Sequence, residues 1–175
     1  MHINTLLIAS ALLLGVTVVA IWPADHLHMQ CKVIWLIAAP CEDVYIAVVN
    51  QIKAWRGRES CEHGGKNCLY ELVSVTPYEI KAKKMYPSTR NVNDLTFNLY
   101  RTEESSTCRM SGDAISESWI SLMDNCANYC SLKDLLVGSG LSKIQGFQEY
   151  TNDWICHAYE SANCTVKRFS RRIGE

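Results

Sequence analysis

Beyond residue 40 the chain carries two histidines, His63 and His157, and these are its candidates for general-base chemistry. Nucleophilic catalysis needs a base beside the nucleophile and an orienting group behind that base. His63 lies in a short loop between Cys61 and Cys68, His157 follows Cys156, and no Gly-x-Ser-x-Gly elbow occurs. A second chemistry would use paired carboxylates as acid and base, as in a glycosidase, with Asp94, Asp113, Glu117, Asp124 and Asp134 as the candidates. Their spacing brings no two together. Asp94 alternates onto a wet strand face, and Asp134, three residues after Ser131, reads as a capping residue at a helix start. The stretch Asn91-Val92-Asn93-Asp94 lacks the glycine and distal glutamate of a calcium loop and reads as an Asx-rich turn entering a strand. Gly64-Gly65-Lys66 and Gly138-Ser139-Gly140 lack the spacing of a phosphate-binding loop and read as turns. The expectation is a non-enzymatic protein with no metal and no cofactor, a carboxylate-based hydrolase being the alternative.

The cysteines point to a structural use. There are nine: Cys31, Cys41, Cys61, Cys68, Cys108, Cys126, Cys130, Cys156 and Cys164. Only Cys126 and Cys130 are closely spaced, with no second tight pair and no His-x-x-x-His, so disulfides are favoured over zinc. Residues 5–22, TLLIASALLLGVTVVAIW, carry no charge and fall between a signal-peptide core and a short membrane span in length. Val18-Val19-Ala20 offers a cleavage site after Ala20. A second apolar run over residues 33–39 is too short to cross a bilayer and reads either as leader or as the first element of the mature protein. The reading is a leader over residues 1–40, with the mature N-terminus between Ile21 and Cys41, then one disulfide-stabilised extracellular domain over residues 41–175. Loss of Cys31 with the leader leaves an even set, Cys41, Cys61, Cys68, Cys108, Cys126, Cys130, Cys156 and Cys164, which reads as bridges formed in an oxidising compartment. Retained, Cys31 would leave one thiol over. Cys61–Cys68 and Cys156–Cys164 each enclose a short polar loop and are the expected local pairs; Cys41, Cys108, Cys126 and Cys130 would pair among themselves. The expected localisation is secreted, or type II membrane-anchored if the leader stays uncleaved.

The elements that must position these residues follow from periodicity. Tyr45, Val48, Ile52 and Trp55 form one helical stripe; Pro40 precedes it, Glu42 and Asp43 suit its first turn, and Gly57 stands where a left-handed cap would fall. Residues 69–76 are rich in strand formers. Beyond Pro77, Tyr78, Ile80 and Ala82 alternate with Glu79, Lys81 and Lys83. Leu95, Phe97 and Leu99 alternate with Asp94, Thr96 and Asn98, and residues 108–119 make a weaker strand. A short helix starts near Ser131, and residues 150–164 form a last strand or short helix. The fold class is α+β, an N-terminal helix packed on an antiparallel β-meander with a disulfide-tied C-terminal region.

Net charge is −1, from 17 Lys+Arg against 18 Asp+Glu, so no overall field steers the chain onto nucleic acid. Asn163-Cys164-Thr165 is an N-glycosylation sequon. The run from Arg168 to Arg172 reads as a solvated basic tail rather than a processing site. Trp55, Phe97, Trp119, Trp154 and Tyr159 read as core, with a cavity between helix and curved sheet as the best binding-site expectation.

Glu71-Leu72-Val73-Ser74-Val75-Thr76, Asp94-Leu95-Thr96-Phe97, Ser118-Trp119, Asn128-Tyr129-Cys130-Ser131-Leu132 and Gly138-Ser139-Gly140-Leu141 resemble a family of small secreted cysteine-rich vertebrate proteins, chiefly of fish, over roughly Cys41 to Cys164. That resemblance implies a secreted, bridged domain and assigns no functional residues. Helix-then-meander order is also similar to the cystatin fold. The inhibitory Gln-x-Val-x-Gly is missing, the turn here is Thr76-Pro77-Tyr78, and the only Trp-Pro is Trp22-Pro23 in the leader, which disfavours protease inhibition. The function expected is a secreted binding module for an extracellular protein or an apolar small ligand.

Overall fold

A computed structural model describes residues 30–58, 61, 68–86, 90–102, 106–116 and 126–164. The expected cleavage site, His63, Gly64-Gly65-Lys66, Glu117, Trp119, Asp124 and the basic tail lie outside them.

The α+β class holds, and the meander is its backbone: β2 (Tyr70–Thr76), β3 (Glu79–Tyr86), β4 (Asn91–Arg101) and β5 (Cys108–Ser116) pair antiparallel in succession. The chain enters this sheet earlier than expected. β1 (Gln30–Ile37) pairs antiparallel with β5, and the short β6 (Gln148–Tyr150) pairs with β1, giving the order β2-β3-β4-β5-β1-β6. The expected boundary at residue 41 is thereby corrected, since the folded domain begins at least as early as Gln30. Cys31, Val33, Trp35 and Ile37 alternate inward and are fully buried. That period-two pattern within an apolar run is what separates a sheet strand from leader.

Helix α1 (Cys41–Ala54) connects β1 to β2, and helix α2 (Ala127–Gly138) connects β5 to β6. α1 buries Val44, Val48, Val49 and Ile52, so its inner stripe is rotated slightly from the expected one and Tyr45 stays partly exposed. It ends at Trp55, and Gly57 is not left-handed; instead the Trp55 carbonyl accepts from the Tyr70 amide at 3.1 Å, hooking the helix end to the start of β2. α2 begins at Ala127, four residues before the expected start. Asp134 is therefore in mid-helix and buried, not a cap. The C-terminal stretch after β6 runs as turns rather than as a strand or helix.

Register sorts the inner face of the sheet into rows. Ile80, Phe97, Gly112 and Val33 are cross-strand neighbours, as are Ala82, Leu95, Ala114 and Cys31. Gly112 is required there: a Cβ would fall 2.6 Å from the Trp35 ring, which crosses above it. A further row, Lys84, Asn93 and Ser116, is polar and equally buried. Asn91 and Asn93 belong to β4 itself, inward-facing, rather than to an Asx turn ahead of it.

Four disulfides hold the described residues: Cys31–Cys156, Cys41–Cys108, Cys61–Cys68 and Cys130–Cys164. The expected Cys156–Cys164 pair is overturned, because β1 puts Cys31 beside Cys156 and the last turns carry Cys164 to α2. Cys126 is corrected from bridged to free; its Sγ lies 3.9 Å from that of Cys130. Thiol titration of the native chain is predicted to find one reactive group, which Cys126→Ser removes. No thiol, or one that survives the substitution, would refute this pairing.

Candidate functional site

Three constellations carry most of the chemistry. The first is the buried polar row under the start of α2. Lys84 Nζ donates to Tyr70 Oη at 3.0 Å, Tyr70 Oη donates to the Ser131 carbonyl at 3.0 Å, and Tyr86 Oη lies 2.6 Å from Ser131 Oγ. Ser116 Oγ lies within hydrogen-bond reach of both Asn93 Oδ1, at 3.0 Å, and Asn128 Oδ1, at 2.9 Å. The Lys84 ammonium also sits over the rings of Tyr70 and Tyr86, at 4.5 and 5.1 Å from their centroids, a cation–π arrangement. Burial, then the charge of Asp134, then Tyr86 hold the Tyr70 phenol well above its ordinary pKa, so it stays neutral. An acid–base pair must touch substrate to act. Lys84 is 2% exposed and Tyr70 not at all, so this network fastens α2 to the sheet.

The second constellation centres on Glu149 in β6. One carboxylate oxygen accepts from Trp35 Nε1 at 2.7 Å and pairs with Lys133 Nζ at 2.6 Å; the other accepts from Tyr129 Oη at 2.6 Å. Burial alone would raise the Glu149 pKa, but these donors and the Lys133 charge outweigh it and hold the carboxyl below its usual value. Burial and that hydrogen bond push the Tyr129 phenol up. Three donors, one of them charged, hold this carboxylate, so Glu149 is a clamp between β6, β1 and α2 rather than an available base.

The third is an open groove of about 530 Å³ at the opposite end of the sheet from the polar row. The N-terminal turns of α1 supply Cys41, Glu42, Tyr45 and Ile46; the β2–β3 hairpin supplies Val75, Thr76, Pro77 and Tyr78; Leu99 and Arg101 come from β4. The Cys41–Cys108 disulfide ties the helix start to β5 beside Arg101, which pairs in register with Cys108. Thr76 Oγ1 accepts from the Glu79 amide at 3.0 Å and shapes the hairpin turn. A bulge at Val73 leaves β2 with Val73 and Val75 exposed, so the strand edge is apolar towards solvent. Tyr78, expected to face the core, is 63% exposed at the rim, because the inward parity of β3 begins at Ile80.

Of the expected site residues, Asp94 pairs with Lys83 and Asp113 with Lys32 on the outer sheet face, while Asp134 is a buried residue of α2 itself. No metal-binding cluster occurs among the described residues. Phe97 is core, and Trp55 packs on Tyr70 with ring centroids 5.6 Å apart. Trp154, expected inside, is 97% exposed. It rides on a turn capped by the Asn152 side chain, which accepts from its amide at 3.0 Å, and anchored by Cys31–Cys156. Asn163 is exposed beside the bridged Cys164. Parity along β3, β4 and β5 was a usable signal for Lys84, Asn93 and Ser116; nothing in the spacing pointed to Glu149.

The Glu149 clamp has a pH consequence. A carboxyl whose pKa is lower folded than unfolded stabilises above the unfolded value, and that stabilisation is lost as pH falls through the folded one. Glu149→Gln is predicted to cost about 2–3 kcal/mol at neutral pH, somewhat less than the roughly 3–5 kcal/mol of a fully buried broken pair. Denaturant unfolding of both proteins checks this: the gap should shrink as pH drops below about 4, and a pH-independent gap would contradict it.

No protein-family model matches this chain, and no curated protein matches it in sequence. Among solved structures it is similar to the Zhui aromatase/cyclase from Streptomyces sp. R1128, at 9% identity and a TM-score of 0.35, over 66% of this chain and 94% of that one.

Proposed function

We propose that this protein is a non-enzymatic extracellular binding module whose ligand site is the groove between α1 and the β2–β3 hairpin. The observation that carries this reading is the groove itself. Its volume of about 530 Å³ falls within the range of small-molecule sites, and its walls are Tyr45, Ile46, Val75, Pro77 and Tyr78 over a floor at Leu99. Ile46, Val75 and Tyr78 are 48, 43 and 63% exposed, so the groove keeps apolar surface in water that a bound apolar molecule would cover. Among the described residues Glu42 is the one carboxylate lining it, which disfavours a two-carboxylate hydrolase there.

The compartment belongs to the same proposal. Four disulfides spread through the domain suit the secretory route, and no helix among the described residues is long and apolar enough to cross a membrane. The uncharged run at residues 5–22 would be the signal, and Asn163, exposed, would accept the glycan. A protein partner is the second reading, favoured by Trp154: a rigidly presented, solvated tryptophan suits an interface anchor. Protease inhibition stays disfavoured, since the hairpin that would enter a cleft carries Pro77, Tyr78 and Glu79 where close backbone approach is needed.

N-phenyl-1-naphthylamine, a neutral fluorophore that brightens in apolar sites, is the first probe. It is predicted to bind with one site and a Kd on the order of 10–100 μM, as roughly 0.3–0.4 kcal/mol per heavy atom implies. Ile46→Glu should weaken it about tenfold, the cost of a charge in an apolar contact, with Tm unchanged. Absence of saturable binding, or binding indifferent to Ile46→Glu, would count against the groove.

A further inference from the structure

We infer that the ligand taken by this groove is an elongated apolar molecule carrying a single anionic head group, which Arg101 receives. The inference rests on the groove being the ligand site, and it adds the charge and the end at which the charge lies.

Among the described residues the groove has one cation and one carboxylate, and their situations differ. Glu42 stands with Asp43 in the first turn of α1, where the helix dipole compensates negative charge, and Pro40 provides no side-chain cap of its own. Its charge already answers the helix. Arg101 ends β4 and is exposed; among the described residues it has neither an ion pair nor a side-chain hydrogen bond, while Lys32, Lys81, Lys83 and Lys133 each have a carboxylate. Among the described residues, the uncompensated charge of the groove is therefore positive. It lies at the end closed by the Cys41–Cys108 bridge, and the apolar wall runs from there towards Pro77 and Tyr78 at the hairpin tip.

A guanidinium receives carboxylate, sulfonate or phosphate through a planar pair of N–H donors, and it stays charged at any physiological pH. The two requirements then fit one molecule: a tail long enough to cover Ile46, Val75 and Tyr78, and a head held beside the disulfide. The rigidity of that end matters, because Arg101 is fixed at its backbone by pairing with Cys108, itself fully buried.

The matched probes are N-phenyl-1-naphthylamine and 8-anilinonaphthalene-1-sulfonate, which share the same ring system and differ by one sulfonate. Titrated against the folded chain, the anion is expected to bind about five- to tenfold more tightly, the gain of a charged hydrogen bond at a partly exposed site. Arg101→Gln should abolish that preference, so that the two probes bind with similar Kd values, with the Tm unchanged. Arg101→Lys should restore part of it, and Lys53→Gln, a basic residue of α1 not lining the groove, should do nothing. Dodecanoate should displace the neutral probe at lower concentration than dodecanol. If the neutral probe binds and Ile46→Glu weakens it, yet the anion gains nothing from Arg101, the head-group inference falls and the groove stands. If neither probe binds saturably, the groove reading falls with it.

Discussion

The indole of Trp35 is the contact on which the rest of the molecule depends. It crosses Gly112 of β5 so closely that no Cβ fits beneath it, lies near Phe97 with ring centroids 6.4 Å apart, and donates its N–H to Glu149. Through that carboxylate it engages Lys133 and Tyr129 of α2. One side chain thus joins β1 to β4, β5, β6 and α2. Truncating so buried an aromatic would cost roughly 3–5 kcal/mol, and the carboxylate would lose a donor besides. Cys31–Cys156 ties the same strand to the terminal turns, so β1 is held covalently at one end and by packing along its length.

With β1 in place the two ends of the inner sheet face take opposite characters. At one end Lys84, Asn93 and Ser116 are satisfied by Tyr70, Ser131 and Asn128 and closed over by α2. Buried polar groups cost little only when their partners are present, which makes this end a lock with one fitting position for the helix. At the other end α1 starts over Cys108, pinned by Cys41, and the β2–β3 hairpin extends past the helix without packing on it fully. The groove is what remains between a helix fixed by a disulfide and a hairpin whose edge strand bulges away. Its apolar lining is tolerated because those residues belong to secondary structure that is stable for other reasons.

Much of this architecture is legible in sequence. The alternation of Leu95, Phe97 and Leu99 names the inner face of β4, and the 41–54 helix shows in its stripe and acidic first turn. The same parity, carried back to Asn91 and Asn93 and across to Lys84, would have revealed the polar row; a polar residue at an inward position reads as a turn or wet face unless its partners are known. β1 is hidden because it is a short apolar run following a leader-like one, and composition does not separate the two. The local bridge Cys61–Cys68 is legible from its short loop, but the long-range ones are hidden for a related reason: Cys31 meets Cys156 across 125 residues, and such a closure is set by sheet order rather than by spacing. Trp154 is misread because hydrophobicity predicts burial only on average. The groove's lining comes from three separate elements, and only their packing brings Tyr45, Val75 and Leu99 together.

The central proposal is that ligand recognition resides between α1 and the hairpin tip. Amide chemical shifts of the 15N-labelled protein, followed during titration with 8-anilinonaphthalene-1-sulfonate, test it most directly. The account predicts that the shifts concentrate in residues 41–46, 75–79 and 99–101, those that line or border the groove. Shifts centred instead on the Trp154 turn, or on α2 above the polar row, would contradict it.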